Sequence, residues 1–179
     1  MGKTASLPGR EMRIRRFHMA DLPRVMQLER ACFSSEGYSG ATFLAHAFRD
    51  RKGFFVAEEE GGQLVGYVLV RLRLPWLGPR RGGVTSIAVA PAQRRQGLGR
   101  ALLEAALAYL KEHHAEQADL EVNVANRAAQ SLYESLGFKQ AKLLAHYYGA
   151  NRDGLRMVLD LSRLELPAPS QGGTDAGRG

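Results

Sequence analysis

The sequence has few of the residues on which covalent or metal-held structures depend. Only one of its 179 residues is cysteine, which excludes an internal disulfide and a metal site built from several thiolates. Such low cysteine usage is typical of a reducing compartment. No apolar run reaches the roughly 18 residues of a membrane span, and no signal peptide is recognisable. A cytoplasmic protein without a membrane partner is therefore expected.

The residues that are present are typical of a globular protein. Hydrophobic residues make up 45% and charged residues 24% of the chain. The formal net charge of +7 favours anionic partners such as cofactor phosphates, an acidic protein or RNA. Because the basic residues are scattered and are not interleaved with aromatics, the charge does not indicate a specific nucleic-acid partner.

Composition and pattern divide the chain into three parts. Residues 1–11 are expected to form a flexible arm, residues 12–164 one folded domain, and residues 165–179, which are poor in apolar side chains, a disordered tail. At the start of the domain, Asp21 followed by Pro23 predicts a helix N-terminus with aspartate as its cap.

The most informative stretch predicts a strand, a basic turn and a helix. The apolar run Ile87–Ala90 ends at Pro91, which cannot donate to a strand ladder. From Leu98 onward, apolar residues recur at helical spacing. Between the strand and the helix lie two arginines and two glycines, namely Arg94, Arg95, Gly97 and Gly99.

This junction suits an anion such as a diphosphate. The first turn of a helix leaves backbone N–H groups without partners, and its dipole adds partial positive charge. Glycines allow a phosphate to approach the main chain, and arginines add full charges. The same glycine spacing also fits an ordinary strand-to-helix turn, so spacing alone leaves both interpretations open.

A second group of polar residues follows the predicted helix. Residues 119–124 alternate, so Glu121 and Asn123 share the face opposite to Leu120 and Val122. A glutamate in a central strand must be solvated, paired or functional. Without a functional role, Glu121 would lie on a strand rim that faces solvent. Tyr133, on the helix predicted after this strand, would then be an ordinary core or rim residue.

The pattern Arg94-x-x-Gly97-x-Gly99, placed after the strand Ile87-Ala88-Val89, resembles the acetyl-coenzyme A motif of the GCN5-related N-acetyltransferases, the GNAT family. The nucleotide P-loop pattern is absent. The dinucleotide fingerprint is also absent, because leucine occupies position 102 where that fingerprint has its third glycine.

The resemblance extends over roughly Met12 to Leu161 and is closest to one branch of the family. The spacing of Glu121, Asn126 and Tyr133 is similar to that of the ribosomal-protein alanine N-acetyltransferases of the RimI type and of archaeal N-terminal acetyltransferases. One departure is the loop Gly37-Tyr38-Ser39, where RimI-type enzymes usually carry a Pro-Trp-Ser step, which leaves the acceptor open.

The resemblance implies an α/β (α+β) fold. It consists of a single domain with a mixed, mostly antiparallel sheet of six to seven strands, a central parallel pair, and about four flanking helices. It also implies acetyl-CoA as co-substrate, no metal, Glu121 as general base and Tyr133 as general acid. The implied coenzyme-binding residues are Ile87, Ala88, Val89, Arg95, Gln96, Gly97, Leu98, Gly99, Arg100 and Asn126. Cys32 is expected to take no part, because it belongs to another segment.

The function implied is acetyl transfer to a protein N-terminal α-amine, such as the alanine of a ribosomal protein. At pH 7 roughly one-tenth of an α-amine with a pKa of about 7.8 is unprotonated, whereas the unprotonated fraction of a lysine with a pKa of about 10.4 is far smaller. This difference favours an N-terminal acceptor. Acetylation of lysine or of a small amine, and a non-catalytic module that binds coenzyme A or RNA, are the alternatives.

Overall fold

The computed structural model describes residues 3–7, 10–33, 44–45, 48–49, 51–73 and 78–164. The α-helices whose bounds lie within these ranges are α1 (Leu22–Phe33), α2 (Leu98–Glu112) and α3 (Arg127–Ser135). The strands are β1 (Lys3–Leu7), β2 (Arg10–Arg16), β3 (Phe54–Glu59), β4 (Leu64–Arg73), β5 (Arg81–Val89), β6 (Gln117–Asn123), β7 (Lys139–Leu144) and β8 (Gly154–Asp160).

The strands form one eight-stranded sheet in the order β1-β2-β3-β4-β5-β6-β8-β7. Every neighbouring pair is antiparallel except β5 and β6, which are parallel. The mixed sheet with its central parallel pair confirms the α/β class. It has more strands than the six or seven expected, because Lys3–Leu7 pairs with β2 inside the region expected to be an arm. The dipeptide Pro8-Gly9, which is typical of turns, is the sequence feature that could have indicated this additional strand.

Some expected elements lie outside the described residues. The sequence predicts a helix over Ala41 to Phe48, of which only residues 44–45 and 48 are described, and these are helical. The loop Gly37-Tyr38-Ser39 and residues 165–179 also lie outside.

Helices cover the two faces of the sheet. Helix α2 presents its apolar stripe to one face, where it packs with Val68, Leu120 and Met157. Gly66 makes this close approach possible, because a Cβ there would lie 2.9 Å from Cδ1 of Leu102. Helix α1 packs on the opposite face through Val25 and Leu28, together with Phe54, Val56 and Tyr67. We call these surfaces the α2 face and the α1 face.

Strand alternation assigns the charged residues to the faces. In β6, Ala118, Leu120 and Val122 belong to the core on the α2 face. Asp119 and Glu121 therefore point to the α1 face, because successive side chains of a strand point to opposite sides. The sequence had predicted this alternation but not which helix would cover each face.

Asp21 lies directly before α1, but its carboxylate caps the preceding 3-10 helix rather than α1, for which the sequence predicted it as the cap. It ends a short 3-10 helix, Met19–Asp21, and is only 2% exposed. Its carboxylate accepts hydrogen bonds from both terminal nitrogens of Arg15, at 2.7 and 2.9 Å, and from the backbone N–H of His18. The hydrogen bonds from Arg15 lower the pKa of Asp21 below its ordinary value.

We expect Asp21→Asn to lower the free energy of unfolding at pH 7 by about 2 kcal/mol, because Arg15 loses one of its two carboxylate partners and keeps Glu58. A carboxylate with a lowered pKa in the folded state stabilises the protein fully above its unfolded pKa, near about 4. This stabilisation is lost as the pH falls through the lowered folded pKa, so the variant and the wild type should converge at acid pH. Urea unfolding at several pH values measures this difference. Glu112→Gln, at an exposed carboxylate on α2, is the control, and a constant gap across pH would contradict the prediction.

Candidate active site

The parallel strands β5 and β6 separate along their length. They pair only where Arg81–Val84 lies beside Gln117–Leu120. Beyond these residues, β5 runs on to Val89 and β6 to Asn123 without pairing to each other. At Thr85 the register of β5 against β4 shifts by one residue, as in a β-bulge, which bends a strand. The result is an open gap between the two central strands.

The backbone of β5 lines this gap. The N–H of Ala90 donates to the carbonyl of Val65 at 2.8 Å, so the polar groups of Ala90 face β4. Alternation then directs the N–H and C=O of Val89 and Ile87 into the gap, as needed to pair with the extended arm of a coenzyme. The polar groups of Ala88 face β4 instead, so the structure does not bring its backbone to the gap as the sequence had implied.

The turn after β5 presents a row of backbone donors. Arg95 and Gly97 have left-handed backbone angles, with φ of 63° and 86°. From Arg95 to Arg100, no backbone N–H donates to an acceptor within the described part of the chain. The last of these belong to the first turn of α2. Free N–H groups at a helix N-terminus bind phosphate oxygens, so this cradle fits a diphosphate.

Two arginine side chains of this turn, those of Arg94 and Arg100, are engaged within the protein. Nε of Arg94 donates to the carbonyl of Val89 at 3.1 Å. The guanidinium of Arg100 contacts Ser135 Oγ at 2.9 Å and Glu104 Oε1 at 3.1 Å, which links α2 to α3. For Arg100, therefore, the backbone N–H rather than the charge is what remains available for a phosphate.

Gln93 anchors the turn after β5 to the sheet, a role that the sequence did not predict. This residue of the 3-10 helix Pro91–Gln93 is 7% exposed, and its Nε2 donates to Glu59 Oε2 on β3 at 3.2 Å. The contact anchors the cradle to the sheet. A glutamine in a polar turn carries no sequence signal for such a role, because its partner lies 34 residues away.

Glu121 is held at the edge of the gap by Arg156, which sequence reasoning also missed. The two residues are direct partners in the β6–β8 register. Nε and Nη2 of Arg156 both donate to Oε1 of Glu121, at 3.0 and 2.9 Å. The other carboxylate oxygen, Oε2, accepts no hydrogen bond from the described residues, and the side chain is 14% exposed. The ion pair orients the carboxylate and leaves one oxygen available.

Tyr133 lies on the other side of the sheet from Glu121. It lies on α3 within the core of the α2 face, 6% exposed, with its ring 6.0 Å from that of Phe138. Burial raises the pKa of Tyr133 to about 12. Its hydroxyl makes no hydrogen bond to the described residues. The hydroxyl oxygen is not fully buried, however, so it retains contact with solvent.

The start of α3 is fixed to the end of β6. Asn126 caps the helix as predicted, because its Oδ1 accepts from the N–H of Ala129 at 3.1 Å. Nε2 of the buried Gln130 donates to the carbonyls of Asn123 and Val124, at 3.1 and 2.8 Å. These bonds set the position of Tyr133 relative to β6. A contact between Asn126 and the coenzyme stays a prediction.

Cys32 lies closer to the gap than expected. It is half-buried on α1, and its Sγ is 3.5 Å from the carbonyl oxygen of Val89. It does belong to another segment, as expected, but that segment meets the end of β5 at Val89, and such a contact across 57 residues is not visible in sequence order. Burial raises the pKa of the Cys32 thiol, which disfavours the thiolate.

Comparison with known proteins identifies the fold and its chemistry. The model of the acetyltransferase (GNAT) family matches residues 22–138, a span that contains the cradle, Glu121 and Tyr133. The chain belongs to the GNAT family of acetyltransferases. It is thus an N-acetyltransferase with acetyl-CoA as co-substrate, and the cradle and the gap have the donors that this coenzyme requires.

Individual relatives agree with this assignment. An N-alpha-acetyltransferase of Sulfurisphaera tokodaii is 38% identical over 162 residues, which cover 86% of this chain and 95% of the relative. The crystal structure of the Escherichia coli ribosomal-protein-S18-alanine N-acetyltransferase superposes with a TM-score of 0.72 at 27% identity, covering 93% of this chain and 99% of that one. A chain of the NatC complex bound to Gag peptide and CoA has the same fold, with a TM-score of 0.77 at 22% identity. The match covers 83% of this chain and 98% of that one.

Within the described ranges, no helix combines the length and the apolar character that crossing a bilayer requires.

Proposed function

We propose that this acetyltransferase transfers the acetyl group of acetyl-CoA to the N-terminal α-amine of a protein. The observation that supports the proposal is the free carboxylate oxygen of Glu121, at the point on β6 where pairing with β5 ends. The N-alpha-acetyltransferase of Sulfurisphaera tokodaii, similar over 95% of its length, supports the α-amine as acceptor. A ribosomal protein that begins with alanine is the finer proposal, supported by the likeness to the Escherichia coli enzyme.

The main chain holds the coenzyme. The N–H groups of Arg95 to Arg100 bind its diphosphate. The backbone of Ile87 pairs with its extended arm in the gap, and Val89 contributes its N–H at the thioester end of that arm. The coenzyme supplies a thioester carbon open to attack by an amine. Because α2 begins at the cradle and packs on the α2 face, the coenzyme is held from that side, and the acceptor reaches the gap from the α1 face.

Glu121 takes the proton of the acceptor amine. Oε2 has no hydrogen-bond partner among the described residues, so it accepts the proton directly or through one water. A carboxylate is a weak base. It can deprotonate an α-amine, whose pKa is about 7.8, more readily than a lysine, whose pKa is about 10.4. The base therefore matches an N-terminal acceptor.

The N–H of Val89 stabilises the carbonyl oxygen of the thioester, which becomes negatively charged as nitrogen attacks carbon. Its direction into the gap follows from the strand register. One such donor typically contributes about 10²–10³ in rate.

Tyr133 stabilises the sulfur that departs when the carbon–sulfur bond breaks. Complete proton transfer from Tyr133, whose pKa is about 12, to a thiolate whose thiol has a pKa of about 8.5 is uphill by about 5 kcal/mol. The phenol therefore donates a hydrogen bond to the departing sulfur, and the thiolate is protonated fully as it reaches solvent. This modifies the simple general-acid role that the resemblance implied.

Tyr133→Phe is expected to lower kcat about 10- to 100-fold, with little change in the KM for acetyl-CoA, because the lost hydrogen bond forms mainly as sulfur departs. The pKa of about 12 keeps the wild-type phenol protonated, so this residue should cause no fall in activity below about pH 11. A pH profile of kcat for both enzymes measures this. Unchanged kcat in the variant would rule out the role of Tyr133.

The proposed function is tested with pairs of peptides. Each pair has one sequence with an internal lysine, once with a free α-amine and once with that amine blocked. Release of coenzyme A from the free peptides alone is expected, with a peptide that begins with alanine among the substrates. Equal release from both members of a pair would indicate lysine as the acceptor and overturn the proposal.

A further inference from the structure

A buried carboxylate on α1 is joined to β5 by a chain of hydrogen bonds. Glu29 is 3% exposed and accepts a hydrogen bond from the hydroxyl of Tyr67 on β4, a residue that is fully buried. The same hydroxyl lies 2.8 Å from Oγ of Ser86 on β5. The chain therefore leads from the interior of the α1 face to the strand that borders the gap.

The number of protons in this chain fixes the direction of its hydrogen bonds. A phenol has one proton, and that of Tyr67 is donated to Glu29. Burial raises the pKa of Tyr67 well above its ordinary value, so the phenol keeps this proton. The contact between Tyr67 and Ser86 then uses the proton of the serine. Toward any further group, Oγ of Ser86 can only accept a hydrogen bond.

The bulge in β5 brings Ser86 opposite to Glu121. Gly83 pairs with the residue two before Glu121 and lies on the α1 face. In a regular strand, Thr85 would therefore be opposite to Glu121 on this face. The register shift at Thr85 gives that place to Ser86, whose side chain meets Tyr67. Two acceptor oxygens, Oγ of Ser86 and Oε2 of Glu121, thus border the gap from its two sides.

Ser86 is the accessible end of the chain. It is half-buried, whereas Tyr67 and Glu29 behind it are buried. Its strand no longer pairs with β6 at this level. Within the part of the chain that the structure describes, Oγ of Ser86 has no hydrogen bond besides that to Tyr67. An oxygen held as an acceptor requires an N–H or O–H donor, and acetyl transfer brings such a donor to the gap in the acceptor amine.

We propose that Ser86 is a catalytic residue that accepts a hydrogen bond from the acceptor amine, on the side of the gap opposite to Glu121. Of the three protons of the ammonium group, one passes to Glu121 and one stays in the amide product and is held by Ser86. The third is lost to solvent as the carbon–nitrogen bond forms and the carbon–sulfur bond breaks. The inference rests on the proposed entry of the acceptor from the α1 face.

The hydrogen bond to Ser86 becomes stronger as the reaction proceeds. Positive charge develops on the nitrogen when its lone pair forms the bond to carbon. Both O–H groups of the chain point away from the gap and toward Glu29, so the chain presents the negative ends of its dipoles to this charge. An interaction that is stronger in the transition state than in the ground state raises kcat.

The test compares Ser86→Ala with Ser86→Thr on a peptide with a free α-amine. Ser86→Ala should lower kcat about 10- to 100-fold, the effect of a lost hydrogen bond to a charged group, with the KM for acetyl-CoA unchanged. Ser86→Thr keeps the hydroxyl and should retain most of kcat. Ser162→Ala is the matched control, because it makes the same change at an exposed serine whose Oγ contacts Asp160, and it should have wild-type kinetics.

Tyr67→Phe tests the chain behind the serine. It leaves the hydroxyl of Ser86 in place but free to turn, so kcat should fall several-fold. In the Ser86→Ala background it should cause no further fall, because the two residues act as one unit. Independent losses would contradict the dependence of Ser86 on Tyr67. Melting curves establish that the variants are folded, and the two Ser86 variants decide the proposal if Tyr67→Phe is not.

The outcomes separate this inference from the proposed function. An unchanged kcat in Ser86→Ala, or equal losses in Ser86→Ala and Ser86→Thr, would overturn the role of Ser86 and leave the N-terminal acceptor intact. A loss with an equal rise in the KM for acetyl-CoA would also overturn it, because that result indicates a displaced strand. Acetylation confined to lysine side chains would overturn the N-terminal acceptor, and the lysine peptide would then serve for the same comparison.

Discussion

Glu121→Gln is expected to lower kcat for acetyl transfer about 10²–10⁴-fold, the range typical of a lost general base. The amide has nearly the same shape and still accepts a hydrogen bond from Arg156, but it cannot take a proton from the acceptor amine. Binding of acetyl-CoA should be retained, because the cradle lies on a different strand and helix. Steady-state kinetics and calorimetric titration measure the two effects.

Asp119→Asn is the matched control for Glu121→Gln. It makes the same chemical change two residues earlier on the same strand and face, at a carboxylate that pairs with Arg73. Only a few-fold change in kcat is expected there. If Glu121→Gln turned over at the wild-type rate, this carboxylate would not be the base, and its pairing with Arg156 would be structural.

Gly99→Glu is expected to weaken binding of coenzyme A at least 100-fold, or about 3 kcal/mol. A Cβ at Gly99 would lie 3.3 Å from Cδ2 of Leu132 and 3.8 Å from Cγ2 of Val89, between α2, α3 and the end of β5. From there, a glutamate adds bulk and a negative charge beside N–H groups that bind a diphosphate. Calorimetric titration with coenzyme A gives the dissociation constant.

Two further variants at this position separate bulk from charge. Gly99→Ala should change affinity only a few-fold, because the methyl group meets the flexible end of Leu132. Gly99→Gln, equal in size to glutamate but neutral, should fall between the other two. Wild-type affinity in Gly99→Glu would show that the diphosphate binds elsewhere.

The parts of the site that the sequence predicted are those that depend on neighbouring residues. The strand that ends at Pro91, the turn with Gly97 and the helix from Leu98 occur as predicted, because chain direction and helix ends are local properties. The N-cap at Asn126 is local in the same sense. The fold class followed from the resemblance to the family rather than from these local signals.

The parts that the sequence did not predict depend on contacts between distant residues. Arg156 meets Glu121 only because β8 pairs with β6 in one register, 35 residues apart in sequence. Gln93 anchors the turn only because the 3-10 helix that carries it meets Glu59 of β3, 34 residues away in sequence. Cys32 reaches Val89 because α1 packs against β5. Each requires the topology before the contact is visible.

The most direct measurement is a crystal structure with an analogue that joins coenzyme A to the α-nitrogen of a short peptide. We expect diphosphate oxygens about 3 Å from the N–H groups of Arg95 to Arg100. The peptide should leave the gap on the α1 face, with its first nitrogen within one water of Glu121 Oε2. A peptide that left on the α2 face, or a diphosphate bound away from the turn, would contradict the account.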